Sequence, residues 1–455
     1  MIVIHSLIVL TVLAFLVLLF INPRMFTLLT VFVTLFQFDW FVRYYHAPAV
    51  LNRATLVFVG LLGLRLLIHF LLKRPRIRHE HGLLSPLLLL AVYFTFLTLI
   101  SNLYNEERLL LGFFSLRYYL IGFILTLSIY LYLPEYLTLE KFKYMLTLIA
   151  LFQLPASAIK YHAATSGHYT LDSVSGTFGG YGELVICQVV ALGIVLSDRF
   201  ILKKNTLPFI NAYLLCILLI TPLLLSKSRS ASIFVIVIMI FVLIYSLFKR
   251  KNLVSALKQM FSSSLIGVIF CLLFYLFFWK AGNYDIEKQF DPDFVYDYYM
   301  HPPTLDSERL RAGADPRMGR FRAITTAWEY INDDAVHRIL GYGAGTASEA
   351  SFLGLNGSHY QAAGPLAGIA RNQYSKVIIE FGLIGIFGFI AFFYTIKKRV
   401  RHIPENASEA GTVFTILVFS LLILSSYSLT LESYFTCFML AYFIATAHSE
   451  LQTSG

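Results

Sequence analysis

RNQYSKVIIEFGLIGIFGFIAFFYTIKKRVR, residues 371–401, decides the fold class. Its interior, 376–396, is apolar apart from Lys376 and Glu380, and is long enough to cross a bilayer as a helix. It ends on the basic cluster KKRVR at 397–401, the kind of charge that stays on the cytoplasmic side of a membrane. Comparable runs recur near 2–21, 25–43, 54–72, 83–102, 109–132, 144–160, 183–198, 207–225, 231–248, 262–279, 412–430 and 432–448. These runs predict an all-α, polytopic transmembrane helix bundle of twelve to fourteen spans, with one large, partly helical outer (periplasmic) loop. The first run lacks a basic leader and a small-residue cleavage site, so it reads as a span, not a cleavable signal.

Composition agrees. The 455 residues are 58% hydrophobic and 14% charged, with a mean hydropathy of +0.70, whereas soluble domains carry about 25% charged residues. Cys187, Cys216, Cys271 and Cys437 all fall inside apolar runs, as buried small hydrophobes would and a disulfide framework or zinc site would not. The organisation expected is 1–279 as helices with short loops, 280–375 as the large outer loop carrying the active segment, and 376–455 as C-terminal helices.

The net charge of +10 is mostly topology, not a nucleic-acid footprint. KRPRIR at 73–78, Arg199 with Lys203 and Lys204, KRK at 249–251 and KKRVR fall in alternate loops, which assigns that side to the cytoplasm. The other side then receives 101–108, 162–182, the turn 226–230 and the loop 280–375. ATP and nucleotide sugars are cytoplasmic, so chemistry on the outer side needs lipid-carried or exported substrates. About 95 residues are too many for a structureless connector and too few for a nucleotide-binding glycosyltransferase domain.

Those outward segments hold the unusual residues. Lys227 and Arg229, in SKSRSA, put two cations into a tight outward turn; they suit phosphate or snorkel to headgroups. In 318–331 a helical period puts Phe321, Ile324, Trp328 and Ile331 on one face and Arg322, Thr325 and Glu329 on the other. Arg322 thus faces phosphate or is solvated and paired with Glu329, while Arg320, beside the apolar arc, could meet a lipid phosphate from a helix resting on the membrane surface. Gly341-Tyr342-Gly343-Ala344-Gly345 is an anion nest or a plain turn, and lacks the preceding strand of a dinucleotide fingerprint. SGTFGGYG at 175–182 could line a cavity at the outer edge.

Arg371-Asn372 stands at the head of a span, where the arginine can meet phosphate or snorkel, and Arg117 lies a few turns inside another. Arg65 and His69 look mid-membrane, with pairing to Glu183 or Glu380 as the structural explanation for both Arg65 and Arg117. His337 and His359, with His301 upstream, are the candidate bases for a sugar hydroxyl, although any one of them could be a plain surface residue. Asp291, Asp293 and Asp297 form a D-x-D-like cluster that reads as a solvated acidic loop, and no metal is expected.

SKSRSA at 226–231, SGTFGGYG at 175–182, the GR…W…GYGAG stretch and RNQYSKVIIEFGLIG at 371–385 occur in an order that resembles the O-antigen ligase/polymerase superfamily of bacterial inner-membrane proteins. The resemblance covers about residues 170–390. It implies a metal-independent, inverting glycosyltransferase without cofactor, whose donor and acceptor are undecaprenyl-diphosphate-linked glycans, with Arg229 and Arg320 on the diphosphate. Ligase members commonly carry His-Asn where this chain has Arg371-Asn372, which favours a Wzy-type polymerase. Its expected partners are membrane lipid, a chain-length regulator and a flippase, but no nucleic acid. The expected site is Arg229, Arg320, His337 and His359 for catalysis, with Arg117, Lys227, Arg322, Arg371 and Asn372 holding diphosphate or glycan. A ligase is the enzymatic alternative. A lipid-linked-glycan flippase is the non-enzymatic one, opposed by the gathering of unusual residues on one side.

Overall fold

The computed structural model describes residues 17–37, 53–73, 84–165, 174–178, 180–226, 229–249, 318–350, 355–360, 366–403 and 407–453, with a few single positions between 272 and 302. Most of the expected spans 2–21 and 262–279, the end of 25–43, Lys227, Cys271, and Asp291 and Asp297 of the acidic cluster lie outside them.

The described helices are α1 (Pro23–Leu35), α2 (Ala54–Lys73), α3 (Leu84–Tyr104), α4 (Leu109–Ser115), α5 (Arg117–Tyr132), α6 (Leu139–Thr165), α7 (Tyr181–Ser197), α8 (Ala212–Leu225) and α9 (Arg229–Lys249). After the long loop come α10 (Arg320–Ile331), α11 (Ala335–Leu340), α12 (Gln373–Val400), α13 (Ala407–Ser425) and α14 (Tyr434–Thr453). Two short strands, β1 (Glu349–Ala350) and β2 (Leu355–Asn356), pair antiparallel between α11 and α12. The fold is an all-α polytopic bundle: among the described residues six helices are long and apolar enough to cross a membrane, seven with the bent pair α4–α5.

The main core gathers inward faces of α5 through α9 and α12 through α14, with α7 so enclosed that 89% of its span is buried. A helix apolar all round belongs in such a place. Cys187, Cys216 and Cys437 are buried free thiols within it, as their apolar surroundings foretold.

Two interruptions position the site. The run 109–132, expected as one span, bends by 46° at Leu116. Arg117 Nη1 donates to the Phe114 carbonyl at 2.7 Å beside the break, and a side chain inserted into the helical ladder is a recognised cause of a kink. The second break lies inside α12, where Gly382 takes φ +57°. The carbonyls of Ile379 and Glu380, just before it, accept from the backbone N–H groups of Tyr342 and Gly343 at 2.8 and 3.1 Å. A Cβ on Gly382 would come within 2.7 Å of the Gly341 nitrogen, and one on Gly341, itself at φ +70°, within 2.6 Å of the Glu380 backbone. The two glycine motifs therefore fit each other. The end of α3 clasps the same turn: Ser101 Oγ donates to Leu340 O, Asn105 Nδ2 to Gly341 O, and Asn102 Nδ2 to Ala344 O.

In α10 the buried stripe is Arg320, Ala323, Ala327 and Ile331, whereas Phe321 and Trp328 are exposed. Of the expected apolar face, Ile331 is buried in the protein while Phe321 and Trp328 point away from it. Ala323 and Ala327 on the buried stripe let α10 pack on α12.

Candidate active site

The head of α12, the loop before it and the turn before α14 meet at one end of the bundle. Gln373 N donates to Ser428 O, and Leu431 N donates to Gln373 Oε1, both at 3.1 Å, which fixes the turn Thr430–Glu432 against α12. Here lies an open cleft of about 420 Å³. Arg117, Arg371, Lys376, Glu432, His359 and Ser348 supply its charged and hydrogen-bonding side chains.

Each cation is held differently. Arg117 is sandwiched by Phe114 and Tyr118, its guanidinium 4.0 and 4.4 Å from the ring centroids. One nitrogen is committed to the Phe114 carbonyl and another reaches the Tyr118 hydroxyl at 3.2 Å. Stacking of this kind pre-orients the planar donor fork. Arg371 Nη1 donates to the Met318 carbonyl at 2.8 Å, tying the loop to the start of α10. Lys376 is buried and bound bidentately by Glu432, with Nζ–O distances of 2.7 and 2.8 Å; Glu380 Oε1 lies 3.9 Å away.

Glu380 is fully buried beneath the cleft. Ser348 Oγ donates to its Oε1 at 2.8 Å, Ser115 Oγ to its Oε2 at 3.2 Å, and the Gly345 N–H also reaches the carboxylate. The N–H groups of Gly341, Tyr342, Gly343 and Gly345 are all used inside the protein, so the anion this turn cradles is the chain's own Glu380.

His359 is partly buried on the cleft wall, its Nδ1 2.8 Å from Ser358 Oγ. Burial lowers its pKa below the usual imidazole value, outweighing the opposite pull of Glu107. Its ring lies against Tyr342, whose phenol burial pushes up to about 12, assisted by Tyr330 and the nearby Asp333 and Asp334.

The remaining candidates lie elsewhere. His337 stacks behind Tyr342 with centroids 4.1 Å apart, held at Nε2 by Asn105 Oδ1 (2.7 Å) and at Nδ1 by Asp334 (3.2 Å). Arg320 is buried: its Nε donates to the Tyr427 carbonyl at 2.8 Å, and its guanidinium sits 3.9 Å from the Tyr427 ring centroid. Asn372 is the N-cap of α12, accepting from Ser375 N at 2.9 Å and donating to the Arg320 carbonyl at 2.7 Å. Arg322, on an exposed face, lies 3.9 Å from Glu329. Arg229 begins α9, and Phe234 one turn later packs on the Tyr427 ring that Arg320 covers. The segment 174–178 is buried against α6, with Thr177 N donating to Gln153 Oε1 and Lys160 Nζ to Ser175 Oγ.

The structure thus brings Arg117, Arg371 and His359 into one cleft and adds Lys376, Glu432 and Ser348, which sequence reasoning missed. Lys376 and Glu380, four apart in an apolar run, and Glu432 at the head of the last run were the available signals, because ionisable groups in membrane helices need partners or a task.

A comparison with curated proteins returns no match. Residues 214–390 match the Wzy_C family model, described as O-antigen ligase, a stretch that contributes Arg371, Lys376, His359 and Ser348 to the cleft while Arg117 and Glu432 come from outside it. That match, over less than half of the chain, supports a relation to the O-antigen ligase/polymerase family.

Proposed function

We propose that this protein is a membrane glycosyltransferase that joins undecaprenyl-diphosphate-linked repeat units into surface polysaccharide at the outer leaflet of the bacterial inner membrane. The observation that carries this reading is the meeting of Arg117, Arg371 and His359 on one cleft at the end of the bundle. Arginine forks match phosphate geometry, and diphosphate held by them is a stabilised leaving group. A growing glycan on the lipid diphosphate is the donor and a single lipid-linked repeat the acceptor.

The acceptor hydroxyl oxygen attacks the donor anomeric carbon from the face opposite the diphosphate, the anomeric C–O bond to phosphate breaks, and the lipid diphosphate leaves with that electron pair. In the tautomer that donates Nδ1–H to the Ser358 Oγ 2.8 Å away, His359 Nε2 is the atom that takes the proton of the attacking hydroxyl. The reaction inverts the anomeric centre and needs no metal. Arg229 and Arg320 are retained as further cations for the diphosphate. A chain-length regulator and a flippase are the expected partners.

The ligase reading, in which finished glycan passes to another acceptor, is favoured by the description of the matching family model. Deletion of the gene, followed by gel analysis of surface glycan and lipid-linked precursors, separates the two. Surface glycan cut to one repeat, with single lipid-linked repeats accumulating, supports the polymerase. Long polymer stranded on the lipid carrier supports the ligase, and repeats trapped on the cytoplasmic face overturn both.

A further inference from the structure

A carboxylate in a cleft that binds diphosphate works against its own ligand, since like charges repel. Glu432 nonetheless lines this cleft beside Arg117 and Arg371. Neutralising Lys376 does not by itself account for it, because Glu380 already lies 3.9 Å from the same ammonium and is fully buried. Two carboxylates, Glu380 and Glu432, therefore share the one lysine, and only Glu432 lines the cleft. They differ in what they can reach. Glu380 is enclosed by Ser115, Ser348 and the Gly345 N–H, and has no access to a ligand. Glu432 is offered to the cleft from a short turn whose backbone is pinned to Gln373.

An ionised carboxylate has about four acceptor sites on its two oxygens, and Lys376 occupies one on each. The remaining acceptor capacity belongs to a side chain that is still 10% exposed and lines the cleft together with Arg117, Arg371 and His359. Sugar hydroxyls are the donors that such a site meets, and hydrogen bonds to an ionised acceptor are the strong ones.

We propose that Glu432, fixed by Lys376, accepts hydrogen bonds from hydroxyls of the glycan next to the reacting centre, and so selects the sugar while the arginines hold the diphosphate. This rests on the glycosyltransferase reading above, and assigns Glu432 to recognition of the glycan, not of the lipid diphosphate.

The two roles give opposite signs in one experiment. Purified full-length protein and its Glu432→Gln variant are titrated with a bare prenyl diphosphate and with the same prenyl diphosphate carrying its oligosaccharide. The near-isosteric amide removes a negative charge, so the bare diphosphate should bind the variant a few-fold more tightly. Glycan-bearing ligand should bind roughly 10- to 100-fold more weakly, the effect of losing a hydrogen bond to a charged group. Glu432→Asp keeps the charge on a shorter arm, so it should leave the bare diphosphate unchanged and still weaken the glycan-bearing ligand. Parallel loss of both ligands together with a lowered melting temperature means that Glu432 serves only to hold Lys376, and overturns the proposal. Unchanged binding of the glycan-bearing ligand also overturns it. Failure of the wild-type protein to bind either ligand overturns the glycosyltransferase reading itself, and this proposal with it.

Discussion

The ring of Tyr342 lies against that of His359 with centroids 4.4 Å apart, and it is this packing, with Tyr330 at 5.3 Å from the same imidazole, that keeps His359 partly out of water. Burial disfavours the charged imidazole, so the folded protein holds His359 neutral to a lower pH than its usual 6.5. Two consequences share a sign. The unfolded chain binds this proton more readily, so the stability contributed is intact above about 6.5 and is lost as pH falls through the depressed folded value. As the base, His359 should place the acid limb of the kcat/KM profile below about 6.5. His359→Ala should cost roughly 10²- to 10⁴-fold in turnover and abolish that limb. An acid limb surviving in the variant would exclude His359 as the base.

Tyr342 divides the two histidines, with His337 behind it and outside the cleft. His337→Ala should therefore lower the melting temperature, through loss of its contacts to Asn105 and Asp334, and leave the pH profile of the folded enzyme in place. Comparing pH profiles of the two single variants assigns the base, which sequence left open between them.

Arg117 tests the diphosphate. Its guanidinium is already clamped by two rings, a carbonyl and a phenol, so little ordering remains to be done on binding. Lysine at this position keeps the charge but loses the fork and the stacking. Arg117→Lys should raise KM for the lipid-linked donor by roughly 10-fold or more, with Arg117→Ala worse, and the salt dependence of donor binding should become shallower in the alanine variant. Direct titration with a bare prenyl diphosphate checks this without turnover.

How much of this was legible in the sequence depends on what each feature rests upon. The interiors of the long spans rest on composition, and runs such as 54–72 and 376–396 therefore lie inside helices α2 and α12. The breaks rest on partners far away in the chain. Leu116 carries no helix-breaking signature, and Gly382 looks like an ordinary membrane glycine until Gly341–Gly345 is docked on the carbonyls it frees. Arg371 stood out as a cation at the head of a span and Arg117 as one a few turns inside another, and both line the cleft. Arg320 stood out as a cation beside the apolar arc of its helix, but its Nε and ring contacts are with Tyr427, a residue 107 positions later whose proximity no local pattern announces. Asn372, expected from the sequence to help hold diphosphate or glycan, caps α12.

The docking of the two glycine motifs should be unforgiving. At Gly341 the backbone sits at φ +70°, ψ −173°, a region essentially reserved for glycine, and an added Cβ would meet the Glu380 and Phe381 backbone at 2.6 Å. Backbone cannot swing aside as a side chain can. Gly341→Ala should cost about 2 kcal/mol or more, read as a fall in melting temperature in detergent. Because this turn cradles Glu380 and carries the chain toward Ser348, glycan-ligand binding should fall with it.

The opposite end of the bundle offers a contrast, a buried charge cluster. Lys143 of α6 lies 3.0 Å from Asp198 and 2.5 Å from Glu409 of α13, and Lys204 completes the cluster at 2.7 Å from Glu409. Along α13, Glu409 is about 24 Å from the end of the helix that leads to Tyr427 and Glu432, at 1.5 Å per residue. Removing one member of a buried ion cluster leaves the others uncompensated, which typically costs about 3–5 kcal/mol. Lys143→Met should therefore lower stability strongly, with Asp198 and Glu409 deprived of their shared cation. Replacing Lys143 and Asp198 together, by Met and Asn, should recover part of that loss. Thermal unfolding of the single and double variants measures both effects. Activity per folded molecule should stay at the wild-type level in each, and a selective loss of activity in stably folded Lys143→Met would instead tie this cluster to the chemistry at the far end.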